Sequence, residues 1–125
     1  MPASHEQRIE AIAAKLPEAI RVDIEAWEGE PTFRVSGKNF IFASRDFRGI
    51  SLKLPKEEAA AVVATDDAVT PTGYGLGKHG WVSIDLPSRM RARDWDQIEE
   101  WIRTSYTLVA PRRLAQQVLE EDGIA

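Results

Sequence analysis

The feature that most constrains the fold is a run of four short apolar-rich segments between residues 20 and 54, in three of which apolar and polar side chains alternate. Such alternation is typical of strands with one buried face. The links between the segments contain Gly29, Gly37 and Gly49 and are far shorter than the crossover that two parallel strands require. We therefore expect four consecutive antiparallel strands.

These segments place apolar residues in each of the four strands. They are Ile20, Val22, Ile24 and Ala26 in the first strand, Phe33 and Val35 in the second, Phe40-Ile41-Phe42-Ala43 in the third, and Ile50, Leu52 and Leu54 in the fourth. A fifth strand is predicted from Trp81 to Leu86. Val82 and Ile84 lie on its buried side, and Trp81 lies on the opposite, more polar side.

Apolar residues at helical spacing predict helices before, between and after these strands. Ser4 with Gln7 three residues later forms a capping box, so a first helix begins there and runs to about Leu16. The other helix signals are Pro55 in a first turn, Asp94 as an N-cap, Pro111 at the start of the last helix and Gly123 at its end.

Together these elements predict one α+β domain over residues 1–125. Its five-stranded, mostly antiparallel sheet is packed by helices, and the elements follow the order α-β4-α-β-α-α. Because 43% of the 125 residues are apolar, the chain can bury a core without disulfides.

Composition excludes several classes of protein. The chain has no Cys, so a disulfide framework, a thiolate nucleophile and a Cys-based zinc site are excluded. No apolar run approaches the roughly 18 residues of a membrane span, and the charged N-terminus does not resemble a signal peptide. A soluble, cytoplasmic protein that does not associate with membranes is expected.

The stretch from Pro71 to Leu86 is rich in glycine and contains the letters G-x-G-x-x-G between Gly75 and Gly80. A dinucleotide-binding fingerprint requires a strand before these glycines and a helix after them, whereas a strand follows here. Lys78 is not followed by Ser or Thr, so it does not belong to a Walker motif. The stretch is interpreted as a structural loop, and no cofactor is expected.

Catalytic and metal chemistry have little support in the sequence. Histidine is a residue type suited to general-base catalysis, but no nucleophile can be assigned to His79. His5 is the only other histidine, which excludes a site with several His ligands. We expect no catalytic residue, no metal ligand and no enzymatic activity. A small-molecule site at the loop from Gly73 to Trp81 ranks last among the alternatives.

Basic charge is concentrated in two segments of a chain whose net charge is −4. Residues 31–53 hold five basic residues against one acidic residue, and residues 78–93 hold four against one. The candidate nucleic-acid-binding residues are Arg34, Lys38, Arg45, Arg48, Lys53, Lys78, His79 and Trp81. Cations at hairpin turns can neutralise phosphates, and an exposed aromatic ring can stack on a base. The alternatives are that the charges only solvate the surface and that Trp81 and Tyr74 pack beneath the C-terminal helices.

Three motifs resemble the MmcQ/YjbR family of small bacterial proteins. They are PTFRVSGKNFIFAS from Pro31, GYGLGKHGWVSIDL from Gly73, and W-I-x-x-SY-x-LVAPRRL from Trp101. The resemblance spans residues 5–120. It implies an α+β fold similar to that of CyaY-like bacterial frataxins, and DNA binding through paired strands and their turns, the arrangement called a double wing.

Two functions therefore remain open. The first is DNA binding through the basic hairpins and the glycine-rich loop. The alternative is a non-enzymatic protein-interaction or adaptor domain that uses an exposed sheet edge or aromatic residues and binds no nucleic acid. The expected partner is accordingly DNA or a protein, and the expected oligomeric state is a monomer or a weak homodimer.

Overall fold

The computed structural model describes residues 3–27 and 29–121. The helices within these residues are α1 (His5–Ala14), α2 (Lys56–Thr65), α3 (Ala92–Val109) and α4 (Arg112–Glu121). The strands are β1 (Ile20–Ile24), β2 (Glu30–Val35), β3 (Lys38–Ala43), β4 (Gly49–Lys53), β5 (Val69–Pro71) and β6 (Trp81–Asp85). Short 3-10 helices span Glu25–Trp27 and Gly77–His79.

The strands form one six-stranded sheet in the order β1-β2-β3-β4-β6-β5, and every neighbouring pair is antiparallel. The predicted α+β class and the antiparallel run of the first four strands are confirmed. The predicted number of five strands and the order α-β4-α-β-α-α are wrong, because β5 precedes β6. Only three residues long and ending at Pro71, β5 is too short to show alternation in the sequence.

A register shift explains why four consecutive apolar residues occur in β3. Phe33 pairs with Ile41 and Arg34 pairs with Asn39, so Phe40 has no partner across the strand pair. An extra residue of this kind turns two successive side chains toward one face. Phe40 and Ile41 are both fully buried as a result.

Helix α3 packs across β3 and β4, and the side chain of Ser105 joins it to both strands. The Ser105 hydroxyl donates to the Phe40 carbonyl oxygen at 2.7 Å and accepts the Lys53 backbone N–H at 2.9 Å. Because Ser105 is fully buried, these two bonds satisfy its polar group inside the core. The apolar stripe predicted for this helix is buried from Trp95 to Tyr106.

The helix boundaries agree with the sequence in most respects. Ser4 caps α1 through the predicted capping box with Gln7. Helix α3 begins at Ala92, so Asp94 is not its N-cap; instead its carboxylate accepts the Arg91 backbone N–H at 2.9 Å from inside the first turn. Gly123, the predicted stop of the last helix, lies outside the described residues.

Strand β1 is confirmed, but its apolar side does not face the helices. Ile20 is 58% exposed, and Ala26 lies in a 3-10 helix beyond the strand. Arg21 instead pairs with the buried Phe33 and reaches Glu6 and Glu10 of α1 at 2.6 and 3.2 Å. These ion pairs hold Arg21 on the helix side of β1, and Ile20 lies on the opposite side.

Candidate nucleic-acid interface

The turns of the sheet lie at two opposite ends. Consecutive hairpins in an antiparallel sheet turn at alternate ends, because each strand reverses the direction of the one before. We call one end the loop end; it contains the turn between β2 and β3, the last residue of β4 and the glycine-rich loop 72–80. We call the other the far end; it contains the turn 44–48 between β3 and β4 and the last residue of β6.

The predicted site residues divide between these ends. Those at or next to the loop end are Arg34, Lys38, Lys53, Lys78, His79 and Trp81, whereas Arg45 and Arg48 lie in the turn at the far end. Strand β4 spans five residues, which separates the ends by roughly 15 Å. The eight residues therefore do not form a single patch.

One face of the sheet carries three of the loop-end residues. We call it the open face; it lies opposite the side on which α3 packs. The cross-strand pairs Thr32 with Phe42, Phe42 with Ser51, Ser51 with Ser83, and Lys53 with Trp81 define it, and Arg34 projects to the same side two residues after Thr32. Arg34, Lys53 and Trp81 thus share one face at one end.

Arg34 is held in place by Thr32. The Arg34 Nε donates to the Thr32 hydroxyl at 3.2 Å, and that hydroxyl donates to the Val22 carbonyl oxygen at 2.6 Å. Thr32 is fully buried, which restricts the orientation of the bond. Within the described part of the chain, the two terminal nitrogens of Arg34 and the ammonium of Lys53 have no partner. An oriented guanidinium with free nitrogens is suited to a phosphate or carboxylate.

The glycine-rich loop is anchored beside the end of β4. The Leu54 backbone N–H donates to the Gly80 carbonyl oxygen at 2.9 Å. Gly80 has a φ of +93°, and a Cβ at this position would lie 2.1 Å from the Leu54 carbonyl oxygen. Only glycine fits there, and its presence keeps Lys78 and His79, both exposed, near Lys53.

The two aromatic residues of the loop region differ in exposure. Trp81 is only 9% exposed and meets the Phe42 ring edge-on with a centroid distance of 5.3 Å, on the face opposite α3. It therefore does not pack beneath the C-terminal helices. Tyr74 is fully exposed and has a φ of +59°, a left-handed conformation that is uncommon for a bulky residue.

Charges at the far end are mixed. Asp46 accepts hydrogen bonds from the Ser44 hydroxyl at 2.7 Å and from the Arg48 backbone N–H at 3.0 Å, and these bonds lower the pKa of its carboxyl group. Its carboxylate also lies 3.8 Å from the Arg48 guanidinium. Glu30 and Asp85 add two exposed carboxylates where the open face reaches this end. The cations here have acidic neighbours.

Sequence reasoning missed the polar residues of the open face, which are Thr32, Ser51 and Ser83. A signal for them does exist. Each lies two residues from a predicted site residue on the same strand, and side chains two residues apart in a strand point to the same face.

Two further observations concern metal ligands and membrane-spanning helices. Across residues 3–27 and 29–121, no group of three or more His, Cys, Asp or Glu residues is arranged to hold a metal ion. No helix in that part of the chain is long and apolar enough to cross a membrane.

The chain is similar to known proteins in sequence and in structure. The YjbR family model matches residues 14–108. The crystal structure of Deinococcus radiodurans protein DR2400, which has the family-model domain DUF419, superposes with a TM-score of 0.70 and 21% identity, covering 100% of this chain and 92% of that one. No curated protein matches the sequence. The family model covers three quarters of the chain, and its match includes the strands, the glycine-rich loop and most of α3, so the chain belongs to the YjbR family.

Proposed function

We propose that this protein binds DNA through the loop end of its sheet. The observation that carries the proposal is the convergence of Arg34 and Lys53 on one face, with Lys38 and Lys78 in the adjoining turn and loop. None of these four cations has an ion-pair partner among the described residues. Unpaired cations at one edge of a protein are suited to the closely spaced phosphates of DNA.

Tyr74 supports the same proposal. Its left-handed conformation costs roughly 1 kcal/mol or more, yet its ring makes no contact with the described residues. A fully exposed ring beside unpaired cations can stack on an unpaired base, an interaction that tolerates any sequence.

The test is fluorescence anisotropy of labelled single-stranded and duplex DNA at low and near-physiological salt. Binding that weakens steeply with salt is expected, because neutralised phosphates release counterions. Lys38→Ala and Arg34→Ala should each weaken binding about three- to tenfold, as expected for one charge-assisted contact.

Unfolding in urea provides the control for these variants. Lys38 is exposed, and its replacement is expected to leave stability unchanged. Absence of DNA binding even at low salt would overturn the proposal.

The alternative is a protein-interaction domain, and one observation favours it. Strand β1 lies at the edge of the sheet, and its Ile20 is 58% exposed. An edge strand offers unpaired backbone groups to a second chain. Sedimentation of the wild type and of Ile20→Lys tests this reading, which predicts self-association that the substitution abolishes.

A further inference from the structure

The open face contains a shallow groove of about 200 Å³, which we call the face groove. Phe42, Ser51 and Ser83 lie along it, and the carboxylates of Glu30 and Asp85 lie at its far-end margin. Arg34 and Lys53 lie on the same face toward the loop end. The lining of the groove is thus anionic at its far-end margin, and the two cations lie outside the lining, toward the loop end.

Two serine hydroxyls of the face groove and the hydroxyl of Thr72, which lies outside its lining, form a short chain of hydrogen bonds. Ser51 Oγ and Ser83 Oγ are 2.8 Å apart, and Thr72 Oγ1 and Ser83 Oγ are 3.0 Å apart. Three hydroxyls hold three donor hydrogens, and the two bonds use two of them. One donor and several lone pairs therefore remain for a ligand that lies across the strands.

The charged groups on the open face are complementary to different parts of one ligand. Beyond the groove, the two terminal nitrogens of Arg34 and the Lys53 ammonium offer donors without partners among the described residues. At its margin, the Glu30 and Asp85 carboxylates have no ion-pair or hydrogen-bond partner among the described side chains. Asp85 lies four residues from Trp81 along β6, a distance of roughly 13 Å. A ligand with an anionic group at one end and N–H donors at the other matches this arrangement.

We propose that the face groove binds the base of a single-stranded nucleotide that carries an amino group, with the phosphate toward Arg34 and Lys53. This inference rests on the proposed function and adds to it the strandedness of the DNA and the class of base. The exocyclic amino groups of cytosine and adenine donate hydrogen bonds, whereas thymine has a carbonyl oxygen at the equivalent position. Carboxylates at the groove margin therefore favour the amino bases.

The preference for single-stranded DNA over duplex DNA has a separate reason. In a duplex, the base edges are paired and stacked, so they cannot lie across a sheet. Unpaired bases can be splayed onto a sheet surface that offers apolar contacts and hydrogen bonds. Phe42, which lines the groove and whose ring also packs against Trp81, supplies the apolar contact, and the hydroxyl chain supplies the hydrogen bonds.

The experiment compares labelled oligo-dC and oligo-dT of equal length at neutral pH. Both carry the same phosphate charge, so their ratio of affinities isolates the base. We expect oligo-dC to bind roughly three- to tenfold more tightly than oligo-dT, the factor that one net hydrogen bond supplies. Duplex of the same length should bind more weakly than oligo-dC.

The variant Glu30→Gln/Asp85→Asn should reduce the dC-to-dT ratio to about one without weakening the binding of oligo-dT, since it removes negative charge. Asp67→Asn is the matched control, because Asp67 is exposed and is not among the residues that line the groove. It should leave the ratio unchanged. Ser83→Ala tests the hydroxyl chain independently and should also lower the ratio.

The outcomes separate the two proposals. Equal affinity for both oligonucleotides, or a preference that survives Glu30→Gln/Asp85→Asn, would overturn the assignment of the face groove and leave DNA binding at the loop end intact. If none of the oligonucleotides binds at low salt, both proposals are wrong.

Discussion

Each end of the sheet holds an aromatic residue with left-handed backbone, but the environments of the two residues are opposite. Phe47 at the far end has a φ of +55°, is 1% exposed and lies beneath the Arg21 guanidinium at 5.3 Å. Tyr74 at the loop end has a φ of +59° and is fully exposed. Burial of the Phe47 ring in the core offsets the strain of its backbone. No contact with the described residues offsets the same strain at Tyr74.

The far end thus contributes mainly to stability, whereas the loop end is the end proposed to bind a ligand. The far end is closed by a buried ring and by the hydrogen bonds of Asp46. The loop end keeps its cations unpaired, and its backbone depends on a close approach at Gly80. Strain without a compensating contact is a reason to expect a ligand there.

The largest expected effect is on stability at the far end. Phe47→Ala should lower the free energy of unfolding by about 3–5 kcal/mol, because it empties a fully packed site in the core. Urea unfolding measures it. A loss below about 1 kcal/mol would contradict the view that Phe47 offsets its backbone strain through burial.

The next effect concerns the backbone of the loop end. Gly80→Ala should destabilise the protein by roughly 2–4 kcal/mol, because the new Cβ would meet the Leu54 carbonyl oxygen and φ is positive. Gly37→Ala is the matched control, since its φ is +79° but no atom lies within 4 Å of the new Cβ. It should cost only about 1 kcal/mol. Equal losses in the two variants would show that the contact with Leu54 is unimportant.

Paired charge removal compares the two ends directly. Lys38→Gln/Lys53→Gln should weaken DNA binding roughly tenfold or more and reduce the salt slope by about 1.4–1.8, as expected for two lost phosphate contacts. Arg45→Gln/Arg48→Gln removes the same charge from the far end and should change the affinity less than about threefold. Salt titrations by anisotropy give both numbers. A greater loss from the far-end pair would reverse the assignment of the interface.

Tyr74→Ala tests whether the exposed aromatic residue at the loop end contributes to binding and, unlike Phe47, not to stability. We expect about a fivefold loss of affinity for single-stranded DNA, the lower range of a base–aromatic stacking interaction, with no loss of stability. Tyr74→Phe keeps the ring and should retain affinity. If Tyr74→Ala destabilised the fold as Phe47→Ala does, the ring would have a structural role.

The smallest effect is a pH dependence at the far end. The pKa of Asp46 is lowered in the folded protein by its hydrogen bonds to Arg48 N–H and Ser44, so its contribution is complete above the unfolded pKa of about 4 and is lost as the pH falls through the lower, folded value. Asp46→Asn should flatten the decline of stability in this acidic range. Urea unfolding at several pH values would reveal it, and an unchanged pH profile would contradict the role of the carboxylate.

Much of the fold could be predicted from local patterns. The capping box at Ser4, the apolar stripe of α3 and the alternation in β6 are all properties of a few neighbouring residues, and each has the predicted structure. Strand β5 could not be predicted, because three residues are too few to show alternation. Its pairing with β6 is a contact between segments that are separated in the sequence.

The candidate site was predictable by residue type but not by position. Alternation correctly placed Trp81 on the face opposite Val82 and Ile84, and the basic segments contain the four cations assigned to the candidate interface at the loop end, Arg34, Lys38, Lys53 and Lys78. The separation of Arg45 and Arg48 from Lys38 and Lys53 was implicit in the predicted antiparallel run, but the basic residues were assigned to one candidate interface without applying it. That separation follows from the reversal of direction at each hairpin.

Local patterns were enough to predict the class of fold, the antiparallel run of strands and the supply of charge, because short links and local periodicity allow few alternatives. Only the folded chain shows which side of β1 faces the helices, which cations share the open face, and that Gly80 must remain a glycine. Each of these depends on atoms brought together from distant parts of the chain. Arg21 faces α1, where its guanidinium lies 2.6 and 3.2 Å from the carboxylates of Glu6 and Glu10, and no pattern within β1 indicates this contact.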